Sequence, residues 1–207
     1  LCGSLIGGKY RILQEIGHGG MSRVYLAVNE TVNRWWAIKE LRNGTETDME
    51  LAKRGLLREI DMLKRLQHPG LPGIIDVVEE KGRFFLVMDY IQGQPLSERL
   101  EREGRQPEEQ VVRWGMELCE VLGYLHAQSP AVIYRDMKPA NIIEKTDGTL
   151  ALIDFGTARE FKGENGMDTV CLGTVGYAAP EQFGGSGETD ARSDIYSLGA
   201  TLYHLAM

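Results

Sequence analysis

The sequence predicts an α+β fold in two parts, a strand-rich first part with one main helix and a helical second part. Two observations predict it. Short segments rich in apolar and β-branched residues recur through roughly the first ninety residues, whereas later segments carry apolar residues at helical spacing. Gly93 and Pro95 mark a boundary. We therefore expect one part over residues 1–88, a linker over 89–95 and a second part over 96–207.

Strands are expected over residues 10–16, 24–28 and 35–41, with a glycine-rich link between the first two. A helix follows, which Thr47 or Asp48 would cap and which His68-Pro69-Gly70 would end. Its apolar positions recur at helical spacing at Leu56, Ile60, Leu63 and Leu66. Two further strands are predicted over 73–79 and 83–90, around a turn at Lys81-Gly82.

In the second part, a short helix over 96–103 precedes a long helix over 108–127 with a broad apolar face. A polar stretch and a long loop come next, and an apolar helix over 191–205 follows. No run of about 18 apolar residues is present, so no membrane span is expected in this segment.

Composition narrows the classes of function. The 207 residues suffice for one or two domains, and 43% hydrophobic and 26% charged residues are ordinary for a globular protein. The net charge of −7 argues against a nucleic-acid partner bound through overall charge. Three widely spaced cysteines have no metal-ligand spacing and favour a reducing compartment, so we expect a cytoplasmic location.

The most informative stretch is 134–156, where two acids, a lysine and an amide cluster. Asp136 suits a base, and Lys138 suits neutralisation of a phosphoryl group. Asn141 and Asp154 offer the hard oxygen ligands that Mg²⁺ prefers. This composition indicates a site that holds Mg²⁺ and a phosphate chain and deprotonates a hydroxyl.

Two features of the first part also point to phosphate. The glycine-rich link over 17–22 would let backbone N–H groups approach phosphate oxygens, although such hairpins are common for other reasons. Lys39 lies on an apolar strand, and Glu59 lies on the leucine stripe of the helix, where an acid needs a partner. Lys39 is the candidate partner; the alternatives are an exposed lysine at a sheet edge and a Glu59 that faces solvent.

These motifs and their spacing resemble the eukaryotic-like Ser/Thr protein kinases of bacteria, from about Tyr10 to Met207. The resemblance implies a bilobal protein-kinase-like fold, with a β-rich N-lobe and a helical C-lobe. The C-lobe would be incomplete, because the resemblance implies further helices after the one that carries Asp194. That aspartate would accept backbone hydrogen bonds from the loop around Asp136.

The resemblance also implies roles for single residues. Asp136 would be the catalytic base, Lys138 would contact the γ-phosphoryl group, and Lys39, held by Glu59, would contact the α- and β-phosphates. Asn141 and Asp154 would hold Mg²⁺. ATP would be bound by a larger set of residues, namely Gly17, His18, Gly19, Gly20, Val24, Ala37, Lys39, Met88, Asp89, Ile91 and Ile143.

Residues 157–181 resemble an activation loop, in which Thr174 would bond Asp136 and Lys138. Thr169 would be an activating phosphosite, the alternative being an exposed loop threonine, and Arg135 would hold the phosphorylated loop. All four histidines, His18, His68, His126 and His204, are read as structural.

The function implied is ATP- and Mg²⁺-dependent phosphoryl transfer to Ser and Thr hydroxyls of proteins, with autophosphorylation of the activation loop. The alternative is a nucleotide-binding pseudokinase or scaffold module, inactive because its C-lobe is truncated. Ile195, Leu198 and Leu202 would then form an exposed apolar patch that favours a homodimer or a domain swap. A further alternative to a free cytoplasmic protein is the cytoplasmic domain of a membrane-anchored kinase.

Overall fold

The computed structural model describes residues 1–18, 22–41, 46–161, 173–183 and 189–207, with the backbone alone over 46–53. The chain divides into two compact units. The first is Leu1–Gln67 with Pro72–Ile91, and the second is His68–Leu71 with Gln92–Met207. Residues 68–71 join the second unit because the Gly70 carbonyl accepts a 2.8 Å bond from the Leu152 amide.

The first unit is built on an antiparallel sheet. Its strands are β1 (Leu5–Ile6), β2 (Tyr10–His18), β3 (Ser22–Asn29), β4 (Arg34–Leu41), β5 (Ile74–Glu80) and β6 (Arg83–Asp89), in the order β1-β2-β3-β4-β6-β5. The five predicted strands are confirmed. The two-residue β1 is too short to produce a pattern in the sequence. The predicted turn at Lys81 and Gly82 is confirmed, and both residues have left-handed φ angles, 54° and 72°.

The two faces of this sheet carry different cores. On one face, buried residues from five strands pack together, among them Tyr25, Ile38 and Phe85. On the other, Leu41 and Leu86 pack against Leu56 of helix α1 (Glu46–Leu63). The two cores lie on opposite faces because side chains alternate along a strand, so that neighbouring residues of β4 point to opposite sides of the sheet.

The ends of α1 differ from the prediction. The helix begins at Glu46, so Thr47 and Asp48 lie in its first turn and neither is the cap. It ends at Leu63, and the chain then tightens through bonds from the Arg65 and Leu66 amides to carbonyls three residues earlier. Leu66 is therefore buried although it lies beyond the helix, because the tighter turns keep a nearly helical spacing.

The second unit contains α2 (Leu96–Glu103), α3 (Glu108–His126) and α4 (Ala191–Ala206). All three predicted helices are confirmed to within one residue. The α3 stripe that enters the core is Val111, Trp114, Leu118, Val121, Leu122 and Leu125. No helix among the described residues has the length and apolar character needed to cross a membrane.

Short strands frame the polar stretch of the second unit. They are β7 (Gly93–Pro95), β8 (Val132–Ile133), β9 (Ile142–Lys145), β10 (Leu150–Leu152) and β11 (Arg159–Glu160). β9 pairs with both β7 and β10, and β8 pairs with β11. Residues 134–141 leave β8 and enter β9, and residues 153–158 leave β10 and enter β11, so the two segments are held side by side.

Candidate active site

A buried ion pair lies on the α1 face of the first unit. The Lys39 ammonium is 2.8 Å from both carboxylate oxygens of Glu59, and the two side chains are 9% and 5% exposed. Lys39 lies on β4, inside the sheet, and Glu59 shares a helix face with Leu56 and Leu63. The structure therefore contains the expected ion pair. The two alternatives, an exposed lysine at a sheet edge and a Glu59 that faces solvent, do not hold.

Three of the residues expected to bind ATP, Val24, Ala37 and Met88, point to the same face of the sheet as Lys39. Val24 is the cross-strand partner of Lys39, and Met88 is the partner of Ala37. Directly opposite residues point to the same face of a sheet, as do Ala37 and Lys39 two positions apart. The first unit thus presents an apolar surface beside a fixed ammonium, a combination that suits a flat base joined to an anionic chain.

The structure describes the two ends of the glycine-rich link, residues 17, 18 and 22. Gly17 pairs with Val24, and a Cβ at Gly17 would meet Val24 at an ordinary 3.8 Å, so space alone does not require glycine there. The His18 side chain is 80% exposed. Gly19 and Gly20 lie outside the described residues.

The end of β6 limits which backbone atom of Asp89 is open to a nucleotide. The Asp89 N–H donates to the Gly73 carbonyl at 2.9 Å, and the Asp89 carboxylate accepts bonds from the Gly73 amide and Arg34. An adenine contact at Asp89 would therefore use its carbonyl rather than its N–H. Ile91 lies two residues after β6, and Ile143 lies in the second unit on β9, opposite Ala151.

Asp136 is the centre of a polar cluster in the second unit. Its Oδ1 accepts a 2.7 Å bond from the Thr174 hydroxyl, and its Oδ2 accepts a 2.8 Å bond from the Asn141 amide. Lys138 Nζ lies 2.8 Å from Oδ2 and also donates to the Thr174 hydroxyl at 2.8 Å. Thr174 therefore contacts both residues expected for it, and these donors fix the plane of the Asp136 carboxylate.

Asn141 joins this cluster to the segment that carries Asp154. The Asn141 side-chain nitrogen donates hydrogen bonds to the Asp136 carbonyl and carboxylate. The side-chain oxygen of Asn141 is therefore the atom suited to a metal. The Asn141 carbonyl accepts a 2.9 Å bond from the Ile153 amide, directly before Asp154. Asp154 has a left-handed φ of 62°, and its carboxylate accepts the Gly156 amide at 3.3 Å.

The donor set fits Mg²⁺ bound together with phosphates. In the part of the chain that the structure describes, no group of three or more His, Cys, Asp or Glu side chains could hold a metal ion. Mg²⁺ does not need such a group, since it is commonly held by one or two carboxylates with waters and substrate phosphates. The Asn141 amide oxygen and the Asp154 carboxylate have the chemistry for this kind of binding.

Tyr134 connects the segment 134–141 to the segment 153–158. Its ring packs edge-on against Phe155, with centroids 5.1 Å apart, and its hydroxyl donates to the Ile153 carbonyl. Burial, and then the negative charges of Asp154, Asp136 and Asp194, raise the pKa of Tyr134 well above its ordinary value. The hydroxyl therefore keeps its proton and remains a hydrogen-bond donor.

Helix α4 holds the backbone of the same loop. Asp194 Oδ1 accepts the Arg135 amide at 2.7 Å and Oδ2 accepts the Tyr134 amide at 2.9 Å, which confirms the role expected for Asp194. Arg135 itself has a left-handed φ of 67°, and its Nε donates to the Thr157 carbonyl at 2.7 Å. Thr169, the predicted phosphosite, lies outside the described residues.

Sequence reasoning missed several residues that support the loop. Gln182 donates to the Arg135 carbonyl, Thr201 donates to the Met137 carbonyl, and Ser193 donates to Glu181 at 2.5 Å. The signal was present, because Ser193, Ser197 and Thr201 recur every four residues in an apolar helix. Buried hydroxyls at that spacing require partners.

The prediction of an exposed apolar patch on α4 is partly wrong. Leu198 is only 5% exposed, and Leu202 is half-buried beside Gly115, whereas Ile195 is 54% exposed. Leu198 lies four residues after Asp194 and seven before Leu205, on the stripe that packs inward. Ile195 lies one position off that stripe.

This fold and this site define a class of protein. Residues 10–207 match the family model described as a protein kinase domain. The chain therefore belongs to the protein kinase family, which confirms the resemblance and the predicted fold class.

Three relatives that match nearly the whole chain are bacterial proteins. The chain is 32% identical over 99% of its length to a probable serine/threonine-protein kinase of Clostridium perfringens, and 35% identical over 99% to the serine/threonine-protein kinase PrkC of Bacillus subtilis. It is 33% identical over 98% to the probable serine/threonine-protein kinase PknB of Lactococcus lactis. The chain spans only 30%, 31% and 32% of the lengths of these three proteins.

Proposed function

We propose that the protein transfers the γ-phosphoryl group of ATP to Ser and Thr hydroxyls of proteins, with Mg²⁺ as cofactor. The observation that carries this proposal is the cluster around Asp136. There a carboxylate accepts a hydrogen bond from a threonine hydroxyl, and a lysine ammonium contacts the same hydroxyl oxygen. This is the chemistry needed to orient and deprotonate an alcohol beside a negatively charged group.

In the proposed reaction, Asp136 accepts the proton of the substrate hydroxyl as the hydroxyl oxygen bonds to the γ-phosphorus. The bond from the γ-phosphorus to the oxygen that bridges it to the β-phosphate breaks, and ADP leaves with that electron pair. General-base assistance of this kind typically contributes about 10²–10⁴-fold in rate. The Lys138 ammonium neutralises charge on the transferred group.

Asn141 and Asp154 would hold Mg²⁺, which when bound neutralises charge on the phosphate oxygens. In the first unit, Glu59 fixes the Lys39 ammonium for the α- and β-phosphates, and Val24, Ala37 and Met88 offer an apolar surface for adenine. The nucleotide contacts of Gly17, His18, Gly19, Gly20, Asp89, Ile91 and Ile143 stay predictions.

Regulation by autophosphorylation also stays a prediction, with Thr169 as acceptor and Arg135 as the residue that holds the phosphate. The same applies to a cytoplasmic location and to self-association through α4. The alternative of an inactive nucleotide-binding scaffold is not favoured. Relatives over nearly the whole chain are named as serine/threonine-protein kinases, and the residues that the chemistry requires are present.

The test is transfer of label from [γ-³²P]ATP with Mg²⁺ to a generic protein substrate. Asp136→Asn should abolish detectable transfer, because the amide lacks the basic oxygen. Asp147→Asn is the matched control, since Asp147 is exposed and the hydrogen bonds that the described residues show for it lie within its own turn, at Thr149. A wild-type protein that is stabilised by ATP and Mg²⁺ but transfers no label would select the scaffold instead.

A further inference from the structure

Two successive residues at the start of β4 contact two successive residues at the end of β6. The Arg34 guanidinium donates to Asp89 Oδ1 at 3.2 Å. The Trp35 ring packs edge-on against the Tyr90 ring, with centroids 6.2 Å apart. We propose that Arg34 and Trp35 are positioning residues for the nucleotide, because they hold the segment 89–91, whose backbone is expected to bind adenine. This inference rests on the proposed function and adds to it two residues that the motifs in the sequence do not single out.

The register of β4 and β6 places these residues opposite each other. The last paired residues of the two strands are Trp36 and Asp89. Trp35 and Tyr90 therefore occupy the next opposite positions. Side chains at directly opposite positions lie on the same face of a sheet and pack against each other. The aromatic contact thus continues the association of the two strands by one residue, up to the neighbour of Ile91.

The two contacts hold the segment from opposite faces of the sheet. Trp36 belongs to the core on one face, and Arg34, two positions earlier on the same strand, shares that face. Trp35 lies on the other face, together with Ala37 and Lys39. An ion pair on one face and an aromatic contact on the other restrain the backbone of the segment in both directions.

The ion pair is better ordered than most pairs at a protein surface. An exposed arginine usually contributes little through a carboxylate, because fixing its long side chain costs entropy. The Arg34 guanidinium, however, lies 4.4 Å from the centroid of the Trp36 ring, which is only 6% exposed. The buried indole therefore orders the guanidinium through a cation–π contact. The Asp89 carboxylate is fixed as well, because its Oδ2 accepts the Gly73 amide at 3.0 Å.

A segment that is held in its binding conformation binds a ligand more tightly. The apparent Kd is the intrinsic Kd divided by the fraction of molecules in the competent conformation. Trp35 and Arg34 are both exposed, so their contacts affect the segment more than the buried core. Loss of either contact should weaken binding equally in the ground state and in the transition state. Such a loss raises KM and leaves kcat unchanged.

The test removes each contact alone. Trp35→Ala removes the ring, whereas Trp35→Phe keeps an aromatic ring for the contact with Tyr90. Arg34→Ala removes the guanidinium. Arg11→Ala is the matched control, because Arg11 forms an exposed ion pair with Glu30 on the same sheet, and its strand β2 does not pair with β6.

Three measurements apply to the intact protein. Titration calorimetry with ATP and Mg²⁺ gives Kd, and steady-state kinetics gives KM and kcat. Hydrogen exchange of the Asp89 amide, read by NMR in the free protein, reports on the segment without a ligand, because this amide donates to the Gly73 carbonyl at 2.9 Å.

We expect Trp35→Ala to raise Kd and KM for ATP by about 3–10-fold, the factor that corresponds to an aromatic pair, with kcat nearly unchanged. Arg34→Ala should raise both constants by about 2–5-fold. Exchange of the Asp89 amide should become faster in both variants. Trp35→Phe and Arg11→Ala should retain most of the affinity. Trp35→Ala combined with Tyr90→Ala should bind no more weakly than Trp35→Ala alone, since both remove one contact.

A Trp35→Ala variant with wild-type Kd and wild-type exchange would overturn the role of Trp35, as would additive losses from Trp35→Ala and Tyr90→Ala. Equal losses in Arg34→Ala and Arg11→Ala would overturn the role of Arg34, because they would reflect surface charge alone. If the wild-type protein binds no ATP, the proposed function fails, and exchange of the Asp89 amide still decides whether Arg34 and Trp35 hold the segment.

Discussion

At the scale of single residues, the chemistry depends on charges held by several partners at once. Asp136 is fixed by a hydroxyl, an amide and an ammonium, and Lys39 is held by both oxygens of Glu59. A charge that is held in this way needs little reorganisation when a substrate charge develops beside it. The same arrangement makes each partner costly to remove alone.

The buried ion pair of Lys39 and Glu59 contributes to stability and to the proposed function, and the two contributions can be measured separately. Glu59→Leu should lower the free energy of unfolding by about 3–5 kcal/mol, because it leaves the Lys39 ammonium buried without its carboxylate. The double variant Lys39→Met with Glu59→Leu should recover most of that stability, since apolar residues of similar volume often replace a buried pair without loss. Urea denaturation measures both.

Phosphoryl transfer should nevertheless remain absent in the double variant, because the ammonium for the phosphates is gone. A double variant that is stable and transfers phosphate at the wild-type rate would show that Lys39 serves stability alone. Lys64→Met with Asp61→Leu, an exposed pair at the end of α1, is the control and should change stability by less than about 1 kcal/mol.

At the scale of elements, α4 is set by its cap as well as by its buried stripe. Asp190 precedes the helix and its side chain accepts the Arg192 amide at 2.8 Å. Four residues later, Asp194 accepts the loop amides. The start of α4 therefore determines where the helix places the residue that binds the loop.

Removal of the cap should destabilise the protein in a pH-dependent way. Asp190→Ala should lower the free energy of unfolding by about 0.5–2 kcal/mol at pH 7, the usual cost of losing an N-cap. The pKa of Asp190 is lowered in the folded state, first by the bond from Arg192, so the ionised cap stabilises fully above the ordinary aspartate pKa of about 4.

That contribution is lost as the pH falls through the lower folded-state pKa. The difference between wild type and Asp190→Ala, from denaturation at pH 7 and pH 3, should therefore shrink on acidification. Asp190→Asn keeps a cap oxygen but does not titrate, so its deficit should be smaller than that of Asp190→Ala at pH 7 and should shrink on acidification in the same way, because the titrating carboxyl belongs to the wild type. An Asp190→Ala deficit that is equal at both pH values would contradict the assignment.

The pairing of β7 with β9 depends on a single glycine. A Cβ at Gly93 on β7 would lie 2.2 Å from the Glu144 carbonyl oxygen on β9, so the strands would have to separate. Gly93→Ala should lower the free energy of unfolding by about 1–3 kcal/mol, as overpacking does. Gly123→Ala, in α3 with open space around it, should instead stabilise by about 0.5–1 kcal/mol. Thermal denaturation of the two variants checks the opposite signs.

At the scale of the whole molecule, the proposal predicts linkage between ligand binding and stability. A ligand that binds only the folded protein stabilises it by about 2.7 kcal/mol at a hundred times its Kd. ATP with Mg²⁺ should therefore raise Tm more than ATP with EDTA. Asp154→Ala should remove this Mg²⁺-dependent increment, and Asp147→Ala should keep it. An increment that survives in Asp154→Ala would exclude Asp154 as a metal ligand.

Much of the site could be predicted because its residues are close in sequence or regularly spaced. Asp136, Lys138 and Asn141 lie within six positions, and their spacing to Asp154 carries the family resemblance. Glu59 was found because an acid on a leucine stripe needs a partner. The end of α1 was mispredicted because tightened turns continue the apolar spacing after the helix has ended.

The sequence by itself determined the family, the strands and helices, and the acids, amide and lysines of the proposed chemistry, since these depend on local pattern and spacing. Only the tertiary structure decided how the catalytic loop is supported. The contacts of His126 with Asp194, of Thr201 with Met137 and of Gln182 with Arg135 join residues that are 68, 64 and 47 positions apart. No local pattern encodes such pairs, because the packing of α3 and α4 around the loop selects which polar groups meet.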